Sequence, residues 1–503
     1  MDFLNSLVLG FQVCIQPSNL FLAFMGCVIG TLVGVLPGIG PVAAISLLLP
    51  ASYHINPVGA LIMLAGIYYG AMYGGSTTSI LVNIPGEAAS VVTCLDGYEM
   101  AKKGRAGPAL GIAAFGSFIG GTGSLIGLMF LAPPLAEMAL KFGPPEYTTL
   151  MILGLTILTF LVKGSMLKGL MMAVFGIFIS TIGIDLVSGV GRFSLGRIEL
   201  LDGIGLVPVV MGLFGLSEVF LNIEKTISST EILKSEIKGY LPNKEDWRKS
   251  YKPILRGTFL GFFLGVLPGG GSVLASFASY AIEKRVSKHP EKFGTGMIEG
   301  VAGPETANNA ATGGNFIPLL TLGIPCNAVM AILLGAMMIH GLQPGPTLIH
   351  EHPDVFWGVI VSMYIGNGML LILNLPLIPM WVQVLKVPYG LFFPLVLLFC
   401  LIGAYSLASS TFDILIMNVF GIIGYLMKKT GYEGPPLVLG LVLGNILENT
   451  LRQSLILSDG SFLIFFNRPI AATFIWVTIA LLVFPILPWF KKRRPAIGVE
   501  PGD

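Results

Sequence analysis

The sequence predicts an all-α, polytopic integral membrane protein built from two inverted-topology repeats with re-entrant hairpins and broken helices. Three observations predict it. Charged residues make up 11% of the 503 and hydrophobic residues 54%, where a soluble globular protein carries about 25% charge. Between Asp2 and Glu87 lie 84 residues without Asp, Glu, Lys or Arg, although one span needs only about 20 apolar residues. The chain also holds 65 Gly and 33 Pro, a surplus that suits close helix packing and interrupted helices in a bilayer, and long motifs recur in its two halves. This composition excludes nucleic-acid binding, secretion and a soluble catalytic core. Cys14, Cys27, Cys94, Cys326 and Cys400 are scattered and indicate neither a metal nor a disulfide framework. Met1-Asp2 is not basic and the first apolar stretch runs on into more apolar sequence, which argues against a cleavable signal peptide.

In chain order, charge-free stretches mark candidate spans at 18–50, 58–72, 76–85, 107–132, 148–162, 169–184, 203–221, 257–282, 306–340, 355–378, 387–412, 414–427, 435–447 and 469–490. Residues 3–15 read as a further helix at the interface, and the expected total is roughly 10–14 membrane elements, re-entrant ones included. Residues 222–256 differ from the rest, with eight basic and five acidic side chains, and the positive-inside rule assigns them to the cytoplasm. Lys491-Lys492-Arg493-Arg494 belongs on the same side. The chain therefore divides into a first membrane repeat (1–221), a charged cytoplasmic linker (222–256), a second, inverted membrane repeat (257–490) and a cytoplasmic tail (491–503).

The repeat is read from motif pairs. Gly30-x-x-x-Gly34-Val35-Leu36-Pro37-Gly38-x-Gly40 returns as Gly261-x-x-x-Gly265-Val266-Leu267-Pro268-Gly269-x-Gly271. Gly74-Gly75 followed by Ile84-Pro85 returns as Gly313-Gly314 followed by Ile324-Pro325, and Gly107-Pro108 and Val174-Phe175-Gly176 match Gly345-Pro346 and Val419-Phe420-Gly421 in the same order. Loop charge then sets the handedness. Lys102, Lys103 and Arg105 follow the first Ile-Pro motif, whereas 341–354 has no Lys or Arg; 51–57 is uncharged, whereas its counterpart carries Lys284, Arg285, Lys288 and Lys292. Basic loops that alternate sides between the halves predict inverted repeats. Residues 257–282 have cytoplasmic flanks at both ends, so they must turn within the membrane, at Leu267 to Gly271.

Non-helical backbone at membrane depth survives only where it is buried in protein or lines a cavity. Four breaks are expected: Pro37 to Pro41, Gly74 to Gly86, Pro268 to Ser272 and Ala302 to Cys326. Half-helix N-termini there present N–H groups to an anion, around Gly38, Gly40, Gly269 and Gly271. Ser76, Thr77, Thr78, Ser79, Asn308, Asn309 and Asn315 add directional hydrogen bonds. Unwound carbonyls and Ser, Thr and Asn oxygens suit a cation, and Glu305, Asn309 and Thr312 are its candidate ligands. The plainer reading is that these small and hydroxyl residues let helices approach, and that Glu305 caps a half-helix or pairs with a lysine. Glu87, Asp96, Glu99 and Glu299 are the other carboxylates near the breaks; Glu218 and Glu448 align between repeats and read as structural. His350-Glu351-His352 stands in a Pro-containing loop without further ligands and is not assigned a metal. No Walker A, H-E-x-x-H or nucleophile-elbow sequence occurs, so neither ATP use nor hydrolysis is indicated.

The stretch 299–325, with Gly303-Pro304-Glu305-Thr306-Ala307-Asn308-Asn309 at its centre and Gly323-Ile324-Pro325 at its end, resembles the signature of the large permease subunit of tripartite tricarboxylate transporters, the TctA family. So do 34–41 and 68–81. The resemblance covers about residues 15 to 490, and departs at Cys326, where the family commonly has Gly. It implies a multi-pass protein of the bacterial inner membrane that imports citrate or another carboxylate with a Na⁺ or H⁺ gradient and needs no other cofactor. It implies two partners, a small membrane subunit and a periplasmic solute-binding protein. By analogy with other inverted-repeat anion importers, it also implies elevator-type motion of a transport domain against a scaffold. None of the four breaks holds Arg or Lys, so a polycarboxylate there would be held by hydrogen bonds, dipoles and cations. The competing classes are a passive anion channel and a polytopic membrane enzyme. A channel would show symmetric pore-lining helices, and an enzyme a nucleophile–base or His-rich constellation that five dispersed histidines do not form.

Overall fold

Helix starts follow local chemistry. Pro17 and Pro57 open helices at a position where no backbone donor is needed. The Asn56 side chain accepts the Gly59 N–H at 2.7 Å, the Asn327 side chain accepts the Met330 N–H at 2.9 Å, and Asn243 and Asp246 cap one another reciprocally. The computed structural model describes residues 3–36, 40–161, 165–185, 188–224, 239, 241–267, 271–384 and 389–483. The first half holds α1 (Phe3–Cys14), α2 (Pro17–Val35), α3 (Gly40–Ser52), α4 (Pro57–Val82), α5 (Ala106–Ala139), α6 (Pro144–Leu161), α7 (Met166–Ser180) and α8 (Leu206–Val210). The last continues through a π turn at Met211–Leu216 into Ser217–Glu224. The second half holds α9 (Lys244–Val266), α10 (Gly271–Val286), α11 (Glu299–Gly314), α12 (Phe316–Leu322), α13 (Ala328–Ile339), α14 (Pro353–Leu373), α15 (Ile378–Val384), α16 (Tyr389–Ala408), α17 (Thr411–Lys429), α18 (Gly434–Leu457) and α19 (Pro469–Val483). The sheet among the described residues is one antiparallel ribbon, Gly183–Ile184 with Gly191–Arg192.

Among the described residues, α2, α4, α5, α14 and α17 are long and apolar enough to cross a membrane. α4 is the central one and is buried along its whole hydrophobic length. Its apolar side joins the largest core cluster, which also takes in α8, α13, α14 and α18.

Glycine stripes set how closely the central helices approach. Gly26, Gly30 and Gly34 of α2 face Gly66, Gly70 and Ala71 of α4 in rising order, so these two helices run parallel. A Cβ at Gly30 would lie 2.5 Å from the Ile67 carbonyl oxygen and 2.9 Å from Gly70 Cα. In the second half, Gly257, Gly261 and Gly265 of α9 face Gly303, Ala307 and Ala311 of α11, again in parallel. The two pairs then meet head to tail: Ser76 of α4 reaches Glu305 of α11, while Tyr68, two turns earlier on α4, reaches Asn315 beyond the end of α11. α4 and α11 are antiparallel.

Basic loops from both halves gather at one end of this assembly. Asp96, buried in the π turn Cys94–Tyr98, accepts the N–H groups of Gly294, Gly296 and Met297 at 2.7–3.0 Å and the Tyr280 hydroxyl at 2.9 Å. Lys103 donates to the Thr295 carbonyl, Arg105 pairs with Asp246, and Arg256 holds Glu283 through two hydrogen bonds. Asp96 is thus a structural clamp, with three of its four hydrogen bonds spent on the loop it holds and the fourth on α10. Glu218 pairs with Lys428, and Glu448 with Arg192 and Arg452.

Three expectations need correction or adjustment. Ser76 to Ser79 do not lie in unwound backbone, because α4 is helical through Val82 and breaks only at Asn83, which is left-handed at φ 60°. Asn308, Asn309 and Thr312 are likewise helical, and the chain stays helical past Asn315 until Gly323, left-handed at φ 69°. The Gly-rich, hydroxyl-rich runs tolerate a helix because neighbouring helices cover them and their side chains bond back to the preceding turn. Finally, α9 begins at Lys244, inside the segment read as linker, because the Asn243–Asp246 box and the Glu245–Lys249 pair sustain a charged first turn. The breaks after α2 and α9 fall where the two Leu-Pro-Gly motifs stand; their tips, 37–39 and 268–270, lie outside the described residues, as does 484–503.

Gly261→Leu is expected to force α9 off α11 and to cost about 1–3 kcal/mol of stability through overpacking. Thermal unfolding in detergent checks this; a melt equal to that of the unaltered protein would remove the stripe from the packing account.

Candidate functional site

Two buried polar clusters lie along the α4–α11 crossing. In the first, the Glu305 carboxylate accepts hydrogen bonds from Ser76 Oγ and Thr93 Oγ1. Glu305 stands in the second turn of α11, too far along the helix for its N-terminal dipole to help, so these hydroxyls carry its stabilisation. One turn on, Asn308 Nδ2 donates to Glu87 Oε1 at 3.2 Å, and Glu87 also accepts the Ala89 N–H at 2.6 Å as it caps the turn after the Asn83 break. Two carboxylates are therefore buried beside successive turns of α11, and no Lys, Arg or His contacts either among the described residues. Hydroxyls, one amide and backbone N–H groups must do the work that a base would otherwise do. Asn309 Nδ2 donates to Ser117 Oγ of α5 at 2.7 Å and to the Glu305 carbonyl at 3.1 Å.

The second cluster gathers on Tyr68. Its hydroxyl accepts from Asn315 Nδ2 at 2.8 Å and Asn327 Nδ2 at 3.1 Å, and lies 3.4 Å from Ser272 Oγ. Ser272 Oγ is in turn 3.4 Å from Thr312 Oγ1, which donates to the Asn308 carbonyl at 3.1 Å. Ser272 directly follows Gly271, the left-handed residue (φ 44°) that opens α10. Gly40 opens α3 in the same way at φ 67°. Only Gly adopts such angles without strain, so both half-helices begin with their free N–H groups at a glycine.

Of the residues singled out from sequence, the crossing unites Ser76, Glu305, Asn308, Asn309, Thr312 and Asn315, with Gly271 at its edge. Thr78 and Ser79 are otherwise employed: Thr78 Oγ1 donates to the Val35 carbonyl at 2.7 Å, tying the end of α2 to α4, and Ser79 Oγ donates to the Gly75 carbonyl at 2.9 Å. Thr77 lines a small cavity with Ser76 and Ser117. Gly40 has no neighbouring atom where a Cβ would stand, and Gly38 and Gly269 lie outside the described residues. Sequence reasoning missed Tyr68, Thr93, Ser117, Ser272 and Asn327. Asn327 was within reach, since it follows Ile324-Pro325-Cys326 as Glu87 follows Ile84-Pro85-Gly86; no local pattern marks Thr93 or Ser117.

The crossing is rich in acceptors. The side-chain oxygens of Asn308, Asn309 and Asn315 are buried without a hydrogen-bond donor, an arrangement suited to a cation or a proton carrier rather than to a second anion. Two cavities adjoin it, of about 20 Å³ and 10 Å³, the room of a single water each. Among the described residues no group of His, Cys, Asp and Glu is arranged to hold a metal ion.

The sequence family described as the tripartite tricarboxylate transporter TctA family matches residues 20–439. The chain is 51% identical over 500 residues to the uncharacterized 52.8 kDa protein in the TAR-I ttuC' 3' region of Agrobacterium vitis, covering 99% of each chain. It is 50% identical over 240 residues to an uncharacterized protein in the TAR-II ttuC' 3' region of the same organism, covering 48% of this chain and 99% of that one. No solved structure matches.

Tyr68→Phe leaves the Asn315 and Asn327 amides without their shared acceptor. The expected loss is about 1–3 kcal/mol for a buried donor left unsatisfied, read by thermal unfolding; a loss of only a few tenths would show that the two amides find other partners.

Proposed function

Because the chain belongs to the tripartite tricarboxylate transporter TctA family, we propose that it is the membrane permease subunit of a secondary transporter that imports citrate or a related carboxylate. On this reading a periplasmic solute-binding protein delivers the substrate, a small membrane subunit completes the assembly in the bacterial inner membrane, and a Na⁺ or H⁺ gradient drives uptake. The observation that carries the reading is the antiparallel crossing of α4 and α11, with two carboxylates and, among the described residues, no base. A site of that kind can charge and discharge a cation as an anion comes and goes.

The substrate anion is assigned to the half-helix starts at Gly40 and Gly271, whose backbone N–H groups are the donors an anion needs. Glu305, Asn309 and Thr312 are assigned to the coupling cation. Helix direction supports inverted repeats: α2 is parallel to α4, α9 is parallel to α11, and the two pairs oppose one another. The elevator-type motion rests on analogy with other inverted-repeat transporters, whose halves move against one another. The cluster of basic loops held by Asp96 would then be cytoplasmic, together with the charged linker and the C-terminus.

The test is uptake of labelled citrate into proteoliposomes holding both membrane subunits, with the binding protein supplied. Accumulation above equilibrium under an imposed Na⁺ or proton gradient is expected; equilibration without accumulation would mean a channel. With Glu305→Gln, accumulation should lose its response to the cation gradient, and unchanged uptake with unchanged dependence would sink the coupling role. Asn309→Leu should lower uptake about tenfold or more, the scale of a buried polar group left unpaired; intact uptake would remove Asn309 from the site.

A further inference from the structure

The smaller cavity lies between α4, α5 and the end of α14, and is lined by Tyr73, Ser76, Thr77, Ser117 and Asn374 along with apolar residues of α5. None of its residues comes from the two Leu-Pro-Gly breaks. Ser76 Oγ spends its proton on Glu305, which leaves its lone pairs for another donor. Ser117 Oγ accepts from Asn309, which leaves its own proton to give. Asn374 is 4% exposed and its side-chain oxygen is without a donor. A molecule in this cavity thus meets at least one donor and two acceptors, with the Thr77 and Tyr73 hydroxyls beside them, enough for a buried water, in a volume of about 10 Å³ that is near the lower limit for one.

We propose that this cavity holds the water through which Ser76 passes protons to Glu305, with Ser117 and Asn374 as the residues that position it, so that the proton is the coupling ion. The proposal rests on the transport reading and deepens it. A hydronium in the cavity gives one proton to Ser76 Oγ as Ser76 gives its own to Glu305 Oε2, leaving water, an unchanged serine and a neutral carboxyl group; release runs the same steps backwards. A metal cation fits this cavity poorly, since its lining oxygens are neutral hydroxyls and one amide and no carboxylate is among them. The larger cavity, of about 20 Å³, prolongs the polar seam. It is lined by Asn309, Thr312, Ser124 and Asn367, and joins the smaller one through the Asn309–Ser117 and Tyr73–Asn367 hydrogen bonds. The titratable groups that face Glu305 are Glu87, from the segment after α4, and Cys94, from the π turn that follows. α5 and α14 bring no charge to the seam, as Glu137 and Asp354 stand at their distant ends.

The experiment compares driven uptake and counterflow of labelled citrate in proteoliposomes of the complete transporter with its binding protein. Counterflow requires no net proton release. In the unaltered protein, accumulation should follow an imposed pH gradient in sodium-free buffer. In Ser117→Ala, the ratio of pH-driven accumulation to counterflow should fall at least about tenfold, the low end for loss of a proton-transfer group. Ser117→Thr, which keeps the hydroxyl, should restore that ratio. Equal loss of both activities in Ser117→Ala, or an unchanged ratio, overturns the relay. Accumulation that follows a sodium gradient and ignores pH overturns proton coupling while leaving the transport reading intact. Absence of any citrate movement in the unaltered protein overturns the transport reading itself, and this proposal with it.

Discussion

The hydrocarbon around a membrane protein offers no water to complete a polar group, and this constraint organises the centre of the molecule. Glu87 and Glu305 are buried where no Lys, Arg or His contacts them among the described residues. Their oxygens are satisfied instead by Ser76, Thr93, Asn308 and the Ala89 N–H. Those partners come from three separate places along the chain, so the carboxylates are tolerable only when α4, α11 and the segment at 87–93 are assembled together. Removing the arrangement would leave a buried charge uncompensated, among the costliest faults a fold can carry.

That assembly depends in turn on the closeness of backbones. Gly26, Gly30 and Gly34 let α2 lie directly on α4, and Gly257, Gly261 and Gly265 let α9 lie on α11. A lipid-facing helix gains nothing from apolar side chains at a helix contact, so association draws on close packing and interhelical hydrogen bonds. The same small residues that look like permissive spacers therefore bring hydroxyls and amides of the neighbouring helix within bonding distance. Asp96 illustrates the contrast with the central carboxylates. Its four donors leave it nothing further to do, whereas the free oxygens of Asn308, Asn309 and Asn315 keep the crossing open to a visitor.

Much of this was legible in the chain. The two Leu-Pro-Gly motifs mark the ends of α2 and α9, and the Ile-Pro motifs follow the left-handed residues Asn83 and Gly323 that end α4 and α12. Glu305, Asn308 and Asn309 stood out as polar residues in an apolar run. What misled was the composition of 74–82 and 302–322: Gly, Ser, Thr and Asn disfavour helices in water, yet these segments are helical because buried contacts on every side override propensity. Thr78 and Ser79 were grouped with Ser76 by adjacency, although Ser76 bonds Glu305 while Thr78 bonds the end of α2 and Ser79 its own preceding turn. Tyr68, Thr93 and Ser117 gave no signal, since a lone hydroxyl on an apolar helix is indistinguishable from one that merely bonds its own backbone.

By itself, the sequence determined the membrane class, the recurrence of its motifs and the helix ends at the Leu-Pro-Gly and Ile-Pro motifs, because charge scarcity, motif recurrence and Pro or Gly act locally along the chain. Only the tertiary structure decided which polar groups meet. The partners of Glu305 are 229 and 212 residues away, and the parallel seating of α2 on α4 and of α9 on α11, with the two pairs opposed, sets which side chains share a depth. Contacts of that range are consequences of packing geometry, and no local pattern encodes them.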